Sequence, residues 1–150
     1  MSDYTYKYPR PAYTADTVLV ADNGNGGLSV LLIKRGGEPF KGAWALPGGF
    51  VNEGESSVEA AKRELAEETG VNVPDTDSLA LIGIYDAPGR DPRGWTISAA
   101  YAAQVSRIVD AKGGDDAAEA RWFPLNDLPE LAFDHGRIIA DVIALLNEEV

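Results

Sequence analysis

The sequence predicts an α+β domain in which one largely antiparallel sheet is combined with two helices. Two kinds of segment indicate this fold class. Short runs rich in Val, Ile and Leu are separated by turn-forming residues, and two longer runs carry apolar residues at helical spacing. The length of 150 residues suits one domain, so we expect residues 1–150 to share a single core and a single site.

Five segments have the composition of strands. The first two flank a turn-forming cluster at 22–27 and are expected to pair as a β-hairpin. A loop at 88–94, rich in Pro and Gly, separates the third and fourth. The predicted strands cover residues 15–21, 28–34, 78–86, 95–105 and 121–125.

Two segments, 57–69 and 135–149, are predicted helices. Ser56 and Glu59 have the spacing of a capping box, which places the start of the first helix at residue 57. Gly70 stands where a left-handed residue would end it. Asp134 is the expected N-cap of the second helix.

Charge and composition exclude several classes of function. The formal net charge of −11 opposes binding to bulk nucleic acid or an anionic bilayer, so an anionic substrate would require a mediating cation. The absence of cysteine excludes disulfides, zinc-thiolate sites and thiol nucleophiles. The N-terminus carries no targeting signal, and no apolar run approaches the roughly 20 residues that span a bilayer. We therefore expect a cytoplasmic protein without a transmembrane segment.

The first predicted helix carries an unusual acidic patch. Glu64, Glu67 and Glu68 share one face of the helix, beside the core-facing stripe, and a glycine-rich segment leads into the helix. One interpretation is a solvated acidic face with surface ion pairs. The other is a site for a hard cation such as Mg²⁺, which prefers oxygen ligands and bridges carboxylates to substrate phosphates. The glycine-rich entry favours the second interpretation.

The same segment resembles the complete box motif of the Nudix hydrolases. Gly49, five residues, Glu55, seven residues and then the run 63–71 match its defining positions. The resemblance extends to the preceding hairpin and the final helix. It implies the Nudix fold, a mixed β-sheet sandwiched between helices, and hydrolysis of a nucleoside diphosphate linked to another moiety.

The resemblance also implies roles for individual residues. Glu64, Glu67 and Glu68 match the metal-binding glutamates, the Gly48 carbonyl matches the backbone ligand, and Arg63 would orient the carboxylates. The implied cofactor is Mg²⁺ or Mn²⁺, which polarises the phosphate and activates a water. The family takes its general base either from the box or from a later loop, where Glu119 is the candidate. Glu119 is equally well explained as one more charge in an acidic loop.

Several features bear on the substrate. Arg90 and Arg93 lie in the loop at 88–94, and Arg35 precedes the box; each is a candidate phosphate ligand, although solvated loop arginines are the alternative. The run 90–95, the run 131–135 and a proline after the box resemble the ADP-ribose pyrophosphatase branch, whose members are usually dimers. His135, the single histidine, either donates to a phosphate or has a structural role.

Two alternatives stay open. The box fits a house-cleaning hydrolase of noncanonical nucleoside triphosphates equally well. A sensor that binds ADP-ribose without cleaving it is less favoured, because the box keeps every glutamate and the sequence shows no winged-helix region. In each case the expected partner is a nucleotide of low molecular weight.

Overall fold

The fold was analysed in a computed structural model that describes residues 4–148. Its elements follow the predicted order, with additional short strands before the first helix. They are β1 (Ala12–Asp22), β2 (Leu28–Arg35), β3 (Trp44–Ala45), β4 (Gly48–Phe50), α1 (Ser57–Thr69), a 3₁₀ turn (Thr76–Ser78), β5 (Ala80–Tyr85), β6 (Thr96–Val105), β7 (Ala117–Pro124) and α2 (His135–Glu148).

The sheet is mixed because its central pair is parallel. The strand order is β3-β2-β1-β6-β5, with β4 also paired to β1 and β7 to β2. Strands β1 and β6 run parallel over ten residue pairs, and the other strand pairs are antiparallel. The predicted hairpin and the largely antiparallel sheet are therefore confirmed.

Both faces of β1 are buried, and this makes the fold a sandwich. Ala15 and Leu19 pack in the cluster beneath α1, whereas Val18 and Val20 pack in the cluster beneath α2. Successive side chains of a strand point to opposite faces, so a strand covered on both sides reads as a continuous apolar run. The sheet sandwiched between helices is as expected.

Helix α1 has the predicted boundaries for the predicted reasons. The Ser56 hydroxyl accepts the Glu59 N–H, and the Glu59 carboxylate accepts the Ser56 N–H at 3.1 Å, completing the capping box. The helix ends at Gly70, whose φ of 76° lies in the left-handed region. Leu65 is fully buried against the sheet. One face of α1 is therefore fixed in the core, and the acidic face is left to the site.

Helix α2 starts at His135 as predicted, but Asp134 does not use its side chain as an N-cap. The Asp134 carbonyl accepts from Ile138 N–H at 3.3 Å, while its carboxylate binds Arg90 through two hydrogen bonds. Asp134 therefore occupies the predicted N-cap position, but a guanidinium distant in sequence binds the carboxylate that would otherwise cap the helix. Residue 149 lies outside the described part of the chain. Neither helix among residues 4–148 has the length and apolar character needed to cross a membrane.

Candidate active site

A cavity of about 710 Å³ opens between α1, the β4 strand and the loops at the ends of the sheet. This volume is within the range of small-molecule sites. Carboxylates from α1 and from the β6–β7 connection line part of its wall, and arginines from β2 and the β5–β6 connection line another part. The cavity therefore has both acidic and basic surfaces.

The acidic surface brings together three carboxylates. Glu64, Glu67 and Asp115 each offer an oxygen, and these oxygens all lie within 4.8 Å of one another. Asp115 lies between β6 and β7, and its φ of 52° is unusual for a residue other than glycine. Three clustered carboxylates form a donor set suited to a hard divalent cation.

Glu68 lies deeper than its two partners in the box. Its side chain is buried, and it accepts the Gly48 N–H at 2.8 Å. The structure thus places Glu68 against the strand that carries Gly48, behind the cluster of Glu64, Glu67 and Asp115.

Arg63 joins the carboxylates of the box to one another. Its guanidinium donates to Glu55 at 2.8 and 3.0 Å, to Glu64 at 2.7 Å and to Glu67 at 3.1 Å. A further bond of 3.1 Å reaches the Phe50 carbonyl. The hydrogen bonds that Arg63 donates to Glu55 and Glu64 raise the pKa of Arg63, and Arg63 lowers the pKa of Glu55. The Arg63 guanidinium thus orients the carboxylates of Glu55, Glu64 and Glu67.

Gly49 of β4 lies against the carboxylate end of the Glu64 side chain of α1. A Cβ atom at residue 49 would lie 2.7 Å from the Glu64 carboxylate carbon, well inside van der Waals contact. A side chain here would displace Glu64 from Arg63 and from the cluster. The Gly of the motif is therefore explained by packing against the motif's own glutamate.

Burial makes anionic charge unfavourable at the base of the cavity. It raises the pKa of Glu68 to about 8, with neighbouring Glu64 and Asp16 adding to the effect. It also raises the pKa of Glu64, against the opposing effect of Arg63. For Asp16, burial is again the main cause of a pKa near 7. A bound cation would offset these penalties, since a positive charge favours ionised carboxylates.

The basic surface is built around the ring of Phe133. The guanidinium carbons of Arg35 and Arg93 lie 5.0 and 5.5 Å from the centre of this ring, and Arg93 also lies 5.1 Å from the ring of Phe50. Buried Asp91 binds Arg93 at 2.7 Å. Arg35 donates to the Pro39 carbonyl at 2.6 Å, and burial and Arg93 lower its pKa. Two neighbouring guanidinium groups with one carboxylate favour an anionic ligand.

Arg90 lines the cavity but is engaged within the protein. Its guanidinium donates to Asp134 at 2.6 and 2.8 Å and to the Ser98 hydroxyl at 3.0 Å, and its side chain is only 5% exposed. Of the three candidate phosphate ligands, Arg35 and Arg93 are thus better placed than Arg90.

Glu119 lies in strand β7 and not in the loop expected from the sequence. Strand β7 begins at Ala117, so residue 119 is a strand residue and not a loop residue. Its carboxylate pairs at 2.5 Å with Arg121, which lies on the same face of the strand two residues later. The cavity wall is formed by residues 115–118 of this segment and does not include Glu119. The acidic loop does reach the site, but through Asp115.

Asp16 and Asp115 were not predicted as site residues from the sequence. Asp16 is an isolated acid in an apolar strand, and its burial beside the cavity depends on contacts with distant segments. Asp115 is one of several acids in its loop. An isolated charge within a run of core residues was the available signal for Asp16, because such a residue is seldom buried without a function or a partner.

Comparisons with known proteins agree with this geometry. A family model described as "NUDIX domain" matches residues 12–142. An ADP-ribose pyrophosphatase of Methanocaldococcus jannaschii is 48% identical over 140 residues, which cover 93% of this chain and 78% of that relative. The ADPR responsive transcriptional repressor NtrR of Acinetobacter baylyi is 34% identical, and the match covers 95% of this chain but only 57% of the repressor.

Solved structures give the same grouping. The NUDIX domain of Shewanella oneidensis NrtR, in complex with ADP ribose, superposes with a TM-score of 0.85 at 33% identity and covers 96% of this chain and 94% of that one. A bifunctional NMN adenylyltransferase/ADP ribose pyrophosphatase of Francisella tularensis, in complex with AMP and a Mn ion, has a TM-score of 0.76 at 28% identity; 96% of this chain and 43% of that one are covered. With the family model spanning most of its length, the chain belongs to the NUDIX domain family.

Proposed function

We propose that this protein hydrolyses the phosphoric anhydride bond of ADP-ribose, releasing AMP and ribose 5-phosphate. The observation that carries the proposal is that Glu64 and Asp115 of the carboxylate cluster line the same cavity as the guanidinium groups of Arg35 and Arg93. A diphosphate carries negative charge on two neighbouring phosphates. One can be neutralised at the carboxylate end and the other at the arginines. The 48% identity to an ADP-ribose pyrophosphatase supports this substrate.

The residues present fit Mg²⁺ or Mn²⁺ as the cofactor. Glu64, Glu67 and Asp115 supply clustered oxygen donors, and Glu68 and the Gly48 carbonyl are the further ligands implied by the family motif. When bound, the metal polarises the phosphate and lowers the pKa of a coordinated water. The complex of the Francisella tularensis relative with a Mn ion supports this assignment.

The chain's own groups then have separate tasks. Arg63 holds Glu64 and Glu67 in the orientation that a cation requires. Arg35 and Arg93 bind the phosphate that is further from the carboxylates. A carboxylate of the site accepts the proton of the attacking water. Asp115 replaces Glu119 as the candidate from the later loop, because Glu119 pairs with Arg121 outside the cavity wall.

A substrate panel tests the proposal. We expect AMP and ribose 5-phosphate from ADP-ribose in the presence of Mg²⁺ or Mn²⁺, no turnover in excess EDTA, and a lower kcat/KM for every deoxynucleoside triphosphate. A preference for 8-oxo-dGTP would favour a house-cleaning hydrolase instead. Full activity in excess EDTA would contradict the metal assignment.

A second candidate is the binding of ADP-ribose without hydrolysis. The similarity to the NtrR repressor and to the NrtR domain in complex with ADP ribose favours it. Titration calorimetry separates the two candidates when it is followed by product analysis. Saturable binding of ADP-ribose with no AMP formed in Mg²⁺ or Mn²⁺ would identify a sensor.

We also propose that the protein acts in the cytoplasm as a homodimer. Strand β5 lies at the end of the main strand order, and Leu81 and Ile84 on it are 56% and 51% exposed. Exposed apolar side chains on an edge strand are commonly covered by another chain. Sedimentation of the wild type and of Leu81→Lys would test this; a monomeric wild type would contradict it.

A further inference from the structure

The segment 131–135, which joins β7 to α2, contacts the turn that carries Gly48. Leu131 forms a parallel bridge with Trp44, and the Ala132 N–H donates to the Trp44 carbonyl at 2.8 Å. Two residues after Trp44 and three after Ala132, the Leu46 N–H donates to His135 Nδ1 at 2.9 Å. The segment 131–135 is thus bonded to β3 through Ala132 and to the β3–β4 turn through His135.

The hydrogen bond to His135 is buried and specific. The His135 side chain is 7% exposed, and Leu46 is 2% exposed. Because Nδ1 accepts from a backbone N–H, the ring is neutral and carries its proton on Nε2, which lies 3.8 Å from Asp16 Oδ2. Loss of the Nδ1 acceptor would leave a buried N–H of the turn without its partner.

The turn is held from its other side by β1. The Thr17 N–H donates to the Pro47 carbonyl at 2.9 Å, and Gly48 is the β-ladder partner of Asp16. The Gly48 N–H in turn donates to Glu68. The position of Gly48 relative to the glutamates of α1 therefore depends on both β1 and His135.

We propose that His135 is a positioning residue for the metal site, acting through Leu46 on the turn that presents Gly48. This inference rests on the proposed function, since it assumes that a divalent cation binds beside Gly48 and the glutamates of α1. His135 then contacts neither metal nor substrate. Residues that orient metal ligands typically alter metal affinity by 10- to 100-fold when replaced.

Two replacements of His135 distinguish the effect of the position of the hydrogen-bond acceptor from the effect of side-chain volume. In His135→Asn the amide oxygen takes nearly the place of Nδ1, whereas in His135→Gln it lies one methylene further out. Ile138→Ala is the matched control, because Ile138 is a fully buried residue one turn later on α2 that packs beneath the helix. Ile138 shares an apolar cluster with Leu46, so this variant loosens the same region while leaving the His135 Nδ1 acceptor in place.

The measurement is Mn²⁺ binding to metal-free protein, followed by electron paramagnetic resonance without substrate, together with thermal melting. We expect His135→Gln to weaken Mn²⁺ binding at least tenfold, and His135→Asn to stay within threefold of the wild type. Ile138→Ala should melt at a lower temperature but bind Mn²⁺ as the wild type does. Wild-type Mn²⁺ affinity in His135→Gln, or equal losses in all three variants, would overturn this inference alone. A wild type that binds no Mn²⁺ would overturn the proposed function as well.

Discussion

Replacing Glu68 by Gln should make the metal-free protein more stable while removing most of its turnover. In the folded protein the pKa of Glu68 is about 8, compared with an ordinary value of 4.5, chiefly because the side chain is buried. Each pKa unit corresponds to about 1.4 kcal/mol, so ionised Glu68 opposes folding by about 5 kcal/mol. Gln keeps the volume and an oxygen that can accept the Gly48 N–H. Its amide must still be buried, so we expect about half of this energy to be recovered, roughly 2–3 kcal/mol.

The pH dependence follows from the sign of the change. A raised pKa in the folded state means that folding takes up a proton between about pH 8 and pH 4.5. The destabilisation by Glu68 is therefore complete above about pH 8, declines as the pH falls and is absent below 4.5. The Gln side chain does not titrate, so the excess stability of Glu68→Gln over the wild type should be largest at alkaline pH.

The assay is thermal melting in EDTA across this range, with turnover measured separately in Mg²⁺. At alkaline pH we expect the melting temperature of Glu68→Gln to exceed that of the wild type by roughly 5–10 °C, with the difference vanishing near pH 4.5. A variant that is no more stable than the wild type at alkaline pH, or whose advantage is the same at every pH, would refute the reasoning. Glu67→Gln is the matched control, since Glu67 is exposed and its replacement should change stability little.

Four further predictions concern the other parts of the site. Arg93→Ala should weaken the transition-state binding of ADP-ribose, measured from kcat/KM, by about 1.5–3 kcal/mol at unchanged Mn²⁺ affinity, and wild-type kinetics would contradict this role. Arg90→Ala should lower the free energy of unfolding by about 2–3 kcal/mol, because it leaves the Asp134 carboxylate without its cationic partner. Wild-type stability of this variant would contradict the structural role of Arg90. Gly49→Ala should reduce Mn²⁺ affinity about tenfold in a folded protein, as seen by circular dichroism, because its Cβ displaces a metal ligand; unchanged affinity would argue against the close approach. Asp115→Asn should likewise weaken Mn²⁺ binding about tenfold, with Glu119→Gln as a control that stays within twofold, and the reverse order would restore Glu119 to the site.

The parts of the fold that depend on local chemistry could be predicted from the sequence. The boundaries of α1 follow from a capping box and a terminal glycine that lie within the same 15 residues. Contacts between distant segments could not be predicted in this way. The local sequence indicates Asp134 as an N-cap, but it does not show that the Asp134 carboxylate binds Arg90, 44 residues earlier in the chain.

The acidic loop shows the same limit within the site. From the sequence, Asp115 and Glu119 are comparable acids in one stretch. Only the start of β7 at Ala117 decides between them, because it fixes Glu119 in a ladder opposite Lys34 and leaves Asp115 free to turn toward α1. The strand boundary was misplaced by four residues in the sequence interpretation, and this error was sufficient to assign Glu119 to the loop.

The hydrogen bonds of Arg63 affect how far the stability of the folded protein depends on the supply of metal. Like charges at helical spacing repel, so a helix with this many glutamates would depend on its cation if nothing else compensated. Here an internal guanidinium supplies the countercharge permanently. Arg63 thereby weakens the coupling between folding and metal supply without removing it, because buried Glu68 still lowers stability when no cation is bound. Fluctuations in divalent cation concentration should then change activity more strongly than they change the amount of folded protein.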